Sequence, residues 1–176
     1  MLSSVPVSVD TCTLLNILAS GVARRLFSHL SAECIIADAV SRESLFLRSR
    51  MSGSPAERID LSPLLSEGIL KVCQADTPQE EALYVQLASD LDDGEALSLA
   101  ISVTRGYGFA TDDRKAARLA KSLGLVKIYT TPDIVSSCSD IDYREVLTAI
   151  EFRARFYPAA DHPLHPWWMK EKVIIP

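Results

Sequence analysis

The sequence offers little for thiolate metal chemistry, for a membrane or for simple coating of nucleic acid. It has four cysteines, Cys12, Cys34, Cys73 and Cys138, and no two form a C-x-x-C pair. That spacing speaks against a zinc ribbon or a thioredoxin-like redox motif. It reads instead as buried, unpaired thiols in a reducing cytosol, so a cytoplasmic protein is expected. Hydrophobic residues make up 48% of the chain, yet no apolar run approaches the ~18 residues that a membrane helix needs. The first ten residues lack a basic segment and an apolar stretch, so no signal peptide is expected. Positive charge is also scarce, with a formal net charge of −5. A protein held to nucleic acid by phosphate contacts alone is usually basic. A nuclease stays open, because a bound divalent cation offsets part of a carboxylate cluster's charge. There are three histidines, His29, His162 and His165, and no serine–histidine or cysteine–histidine pairing suggests itself. His162-x-x-His165 has a metal-like spacing, but the prolines around it and the absence of nearby cysteines argue against a site.

What is present is an alternation of short apolar runs and amphipathic stretches over 176 residues, the length of one domain with a sizeable core. Strands are expected at residues 5–9, 33–37, 69–73, 107–111 and 126–129. Helices are expected at 11–19, 22–30, 39–48, 61–67, 77–91, 96–103, 114–123, 132–138 and 143–156. The polar segment 48–60 reads as a loop. Residues 96–103 are apolar nearly all round, with Ser98 and Ser102 small, so that helix is expected to be buried. The end, residues 157–176, holds four of nine prolines and both tryptophans and is not expected to be a regular helix. We divide the chain into a domain of residues 1–156 and a Pro/Trp-rich tail of 157–176. The tail either covers its own core or packs on a second subunit or partner.

Strands alternating with helices imply a mainly parallel sheet in a three-layer α/β/α sandwich. Every strand-to-helix junction of such a sheet lies on one edge, where ligands bind. Asp10 and the pair Asp112-Asp113 are such junctions and should meet on that edge. Glu95 opens the buried helix that feeds one of those strands and can reach the same edge. Asp92 to Glu95 also has the spacing of a capping box, and Asp112 or Asp113 is a good N-cap. Glu43 joins the group only if its helix turns that face inward, and Asp38 is its rival. Converging carboxylates repel one another unless a cation is present. Hard oxygen donors suit Mg²⁺ or Mn²⁺.

The order strand–Asp10–Thr11, Glu43 on the helix after the second strand, Asp-x-Glu95-Ala, then strand–Thr111–Asp112–Asp113 resembles a PIN domain. The tract GEALSLAI…GFATDDRKAARLAKSLGL is similar to a PIN subgroup described as nucleic-acid-binding and related to the toxins of Vap-type toxin–antitoxin pairs. The resemblance covers residues 5–140. It implies a PIN-like fold and a metal-dependent ribonuclease. Asp10, Glu43, Glu95 and Asp113 would be the catalytic and metal-binding acids, and Asp112 would replace or assist Asp113. Thr11, Thr111 and Arg114 are the expected substrate-side groups. Lys115, Arg118, Arg24, Arg25 and Arg42 are further basic residues that flank the site or merely solvate their helices. The expected partners are RNA, single-stranded or structured, a second copy of the chain and, for a toxin, an antitoxin protein. The alternative is an inactive PIN-like module that binds nucleic acid or protein. A phosphatase or other α/β hydrolase would need a nucleophilic aspartate with a nearby lysine, and no basic residue follows Asp10 closely.

Overall fold

The computed structural model describes residues 1–42, 45–48, 53, 55–154 and 156–172. The elements run β1 (Val7–Val9), α1 (Thr11–Ala19), α2 (Ala23–Leu30), β2 (Cys34–Ala37), α3 (Asp38–Arg42), β3 (Phe46–Leu47), β4 (Glu57–Arg58), α4 (Ser62–Ser66) and β5 (Leu70–Cys73). They continue with α5 (Pro78–Leu87), α6 (Asp93–Arg105), β6 (Gly108–Ala110), α7 (Arg114–Ser122), β7 (Ile128–Tyr129), α8 (Thr131–Ser137), α9 (Tyr143–Arg153) and α10 (His165–Glu171).

Five strands form one parallel sheet in the order β5-β2-β1-β6-β7. The central strand β1 is buried at every position and reads V-S-V, because a parallel strand is covered on both faces. On one side α5, α6 and α7 pack together around Leu87, Leu99, Phe109 and Ala116. On the other, α1, α2, α8 and α9 enclose Leu14, Ile17, Phe27, Val135 and Ile150. This is the expected three-layer sandwich. Helix α6 is buried from Gly94 to Ser102, as the all-round apolar pattern requires. It ends at Gly106, whose φ of 66° is the left-handed C-cap that glycine adopts at low cost.

The pairing fixes the site. Val9 of β1 lies opposite Ala110 of β6, and the Asp10 N–H donates to the Ala110 carbonyl at 3.0 Å. Asp10 and Thr111 therefore leave neighbouring strands side by side. Gly108 allows this approach: a Cβ there would stand 2.9 Å from Tyr129 Cε2 and 3.0 Å from Val7 Cγ2.

Three expectations need correction. The helix expected at 39–48 ends at Arg42, and Phe46–Leu47 instead pairs antiparallel with Glu57–Arg58. Leu45 and Leu47 are buried while Phe46 between them is 43% exposed, the two-residue period of a strand. The supposed loop 48–60 accordingly contains one arm of a hairpin. Finally, the tail does hold a helix. Helix α10 begins at His165, with Pro166 in its first turn, where a proline's missing N–H costs no helical bond. Its Trp168 is fully buried and donates Nε1–H to Glu151 Oε1 at 2.8 Å, so the described tail packs on α9. Among the described residues no helix is long and apolar enough to cross a membrane.

Candidate functional site

Three helices begin with an aspartate at the same edge of the sheet or beside it. Asp10 caps α1 by accepting the Thr13 N–H at 2.7 Å. Asp92 caps α6 by accepting the Glu95 N–H at 2.9 Å. Asp113 caps α7 by accepting the Ala116 N–H at 2.7 Å. Each cap uses one carboxylate oxygen and fixes the direction of the other.

Asp10 is completely buried. Its Oδ1 serves the cap, and its Oδ2 has no hydrogen-bond partner among the described residues. Burial pushes its carboxyl up to about 7, with the charge of Asp112 adding to this and the nearby Thr111 hydroxyl and the Thr13 N–H opposing it. A buried, half-satisfied carboxylate is costly. Glu95 is 8% exposed and forms no ion pair among the described residues. Burial pushes it also to about 7, reinforced by the charges of Asp92 and Asp113 and opposed in part by Lys115. Cys12 is exposed rather than buried as expected. Local desolvation and the charges of Asp10, Glu95, Asp112 and Asp92 push its thiol to about 12.

Asp112 has a different environment from Asp113. Its Oδ1 accepts the Thr131 N–H at 2.8 Å, and its Oδ2 accepts Asn16 Nδ2–H at 2.8 Å, the Thr131 hydroxyl, and the Thr13 hydroxyl at 3.3 Å. Desolvation still raises its carboxyl above the usual range. These bonds tie the start of α8 and the face of α1 to the end of β6. Among the described residues the Asp113 carboxylate makes only its cap bond, and its backbone N–H donates to Thr111 Oγ1 at 3.1 Å. Thr111 is fully buried between Asp10 and Asp113, while Thr11 opens α1 half-buried.

Glu43 lies outside the described residues. Its rival Asp38 follows β2 at the same edge, where it pairs with Arg42 at 2.8 Å. The basic residues are mostly engaged. Arg114 pairs with Asp161 of the tail, and Lys115 with Asp90. Arg24 pairs with Glu67, and Arg25 donates to the Asp140 carbonyl. Arg118 is exposed.

Asp112 and Asp113 open onto a cleft of about 410 Å³. Asp112, Asp113, Cys12 and Asn16 line it together with Phe46, Arg48, Arg153 and Phe156. None of those last four was expected from the sequence. They come from the β3–β4 hairpin and the end of α9, and only tertiary contact unites them. Asn16 had a signal: Asp10, Thr13 and Asn16 repeat at helical spacing on an otherwise apolar helix.

The donor chemistry suits a hard divalent cation, since carboxylates stand at this edge and an oxygen of Asp10 is buried without a partner. Among the described residues, however, no three acidic, histidine or cysteine side chains are grouped as a ready-made metal site.

No curated protein and no solved structure matches the chain. A family model does: residues 7–131 match DUF3368, described as a PIN domain. The matched segment spans β1 to the start of α8 and contains Asp10, Glu95, Asp112 and Asp113. The chain belongs to the PIN domain family.

Proposed function

We propose that this chain, whose fold is of the nuclease type, is a metal-dependent endoribonuclease. The observation that carries the reading is Asp10: a fully buried carboxylate ending the central strand, with one oxygen unpartnered and further acids around it. Asp10, Glu95 and Asp113 would hold Mg²⁺ or Mn²⁺, with Glu43 as a fourth acid. A bound ion of this kind polarises the phosphodiester and lowers the pKa of a coordinated water. The chain's own groups set the stage. The helix caps hold Asp10 and Asp113 with one oxygen turned away from the cap. The Asp112–Thr131–Asn16 network holds β6, α8 and α1 in register. Asp10 and Glu95, both near 7, can each keep or release a proton at neutral pH.

The test is Mn²⁺-dependent cleavage of a labelled RNA. Asp10→Asn should abolish it while leaving the circular dichroism spectrum intact, and equal cleavage by both proteins would overturn the proposal. A toxin role is the finer part of the same proposal. It predicts growth arrest on induced expression and relief of that arrest in Asp10→Asn. A second reading, an inactive binding module, is favoured by the lack of a ready-made metal group among the described residues. It predicts no cleavage by the wild type at any Mn²⁺ concentration.

A further inference from the structure

We propose that residues 157–164 form an autoinhibitory strap: Asp161 at its tip occupies Arg114, the cation beside Asp113, and keeps it from an anionic substrate until the strap lifts. This rests on the nuclease reading and concerns how that site is regulated.

The strap is fixed at both ends and lightly attached at its tip. At one end Phe156 stands edge-on against Trp168, with ring centroids 5.8 Å apart. At the other, Trp168 is fully buried with its Nε1–H on Glu151, and Lys172 Nζ lies 2.8 Å from both Glu151 oxygens. Between these anchors the backbone turns on itself. The His162 N–H donates to the Ala159 carbonyl and the His165 N–H to the His162 carbonyl, both at 2.9 Å. His162 Nδ1 accepts the Leu164 N–H at 3.1 Å. Its Nε2 therefore carries the ring proton and donates to Thr130 Oγ1 at 3.1 Å. Asp161 beside it pairs with Arg114.

Both tip contacts fall on the acid edge. Arg114 is the first residue of α7, directly after its cap Asp113. Thr130 caps α8, and the next residue, Thr131, gives its N–H and its hydroxyl to Asp112. The tip thus spans the starts of two helices that carry or support the acids. The Asp161–Arg114 pair does little for the fold: its side chains are 73% and 60% exposed, and an exposed ion pair is weak and further screened by salt. Buried ends and an exposed tip let the segment open locally while the tail stays docked. The contact is also competitive in its chemistry. Carboxylate and phosphate oxygens use the same guanidinium donors, so Asp161 takes the place of an anionic oxygen on Arg114. It adds negative charge to an edge that already holds Asp112 and Asp113. The strap lies beyond the matched residues 7–131, so it is an addition to the family domain.

The experiment titrates full-length proteins with a short labelled oligoribonucleotide at low salt in EDTA, where the nuclease reading allows no cleavage. Asp161→Ala should bind about fivefold tighter than the wild type, the upper end for an exposed pair. Glu81→Gln, which removes an exposed charge from α5, should bind like the wild type. Arg114→Ala should bind more weakly, and adding Asp161→Ala to it should gain less than about twofold, because the two side chains act through each other. The Asp161→Ala protein should melt with the wild type. A gain no larger than that of Glu81→Gln, a gain that persists without Arg114, or no binding by Asp161→Ala overturns the inference. So does a clear fall in its melting temperature, which would make the contact structural. Cleavage by the wild type with no gain in binding or rate from Asp161→Ala removes the strap and leaves the nuclease. An Arg114-dependent gain in binding without cleavage by any of these proteins in Mn²⁺ keeps the strap and removes the nuclease.

Discussion

At the scale of residues, the chain keeps an electrostatic conflict at one point. Asp10 titrates near 7 in the folded chain against the ordinary 3.8. A folded value above the unfolded one means that the folded state holds the proton more tightly. This group therefore favours folding most below about pH 3.8, and that contribution is lost as pH rises through 7. Asn in place of Asp10 keeps an oxygen for the Thr13 N–H and carries no charge. In EDTA at pH 8 the Asp10→Asn protein should melt above the wild type, and the gap should shrink toward pH 5. A gap of the same size at both values would show that charge is not its cause. Sacrificing stability to hold an acid in this state is typical of functional sites. The sequence showed Asp10, Glu95 and Asp113 because each stands at a strand or helix boundary that a parallel sheet brings to one edge. It did not show the separate roles of Asp112 and Asp113. Those depend on Thr131 and Asn16, which lie far apart in the chain and meet only when α1 and α8 pack together.

At the scale of elements, two features hold the frame that aims these acids. Gly108 lets β6 and β7 close against β1. Gly108→Ala should cost about 1–3 kcal/mol by overpacking Val7 and Tyr129, read as a lower urea midpoint with an unchanged slope. The second feature is the join between α5 and α6. Glu80 is 1% exposed, and Arg105 donates to both its oxygens, at 2.5 and 2.9 Å. Glu80 also accepts the Asp76 N–H at 2.8 Å and the Thr104 hydroxyl at 3.1 Å. The Arg105 guanidinium holds the Glu80 carboxyl far below the usual range. That contribution is present above about pH 4.5 and is lost as pH falls below it, the opposite sign to Asp10. Glu80→Ala should cost about 3 kcal/mol, the lower end for a broken buried pair because the Arg105 side chain remains 20% exposed. The wild type should also lose stability in acid more steeply than the variant; parallel pH profiles would contradict the assignment. The sequence presented Glu80 only as an acid in a helix's first turn. Its partner sits at the far end of the next helix, beyond the reach of local pattern.

At the scale of the whole molecule, the order of elements was the most legible part. Period-two and period-3.6 patterns alternated cleanly, and the parallel pairing followed from that alternation. The β3–β4 hairpin was not legible, because Leu45, Phe46 and Leu47 are as apolar in sequence as a helix face. Nor was α10, hidden by Pro158 and Pro163 before it and Pro166 in its first turn. The first of these, with the end of α9 and Phe156, lines the cleft together with Asp112 and Asp113. The family model covers the acids and stops before Arg153 and Phe156. In the proposed function Asp10, Glu95 and Asp113 together would form one cation site. Calorimetric titration of the full-length chain with Mn²⁺ at pH 7.5 tests it most directly. We expect saturable Mn²⁺ binding with release of protons, because two of the acids are held near 7, and loss of that binding in both Asp10→Asn and Glu95→Gln. Mn²⁺ binding of equal strength in the wild type and both variants, or no binding to the wild type at millimolar concentrations, would contradict it.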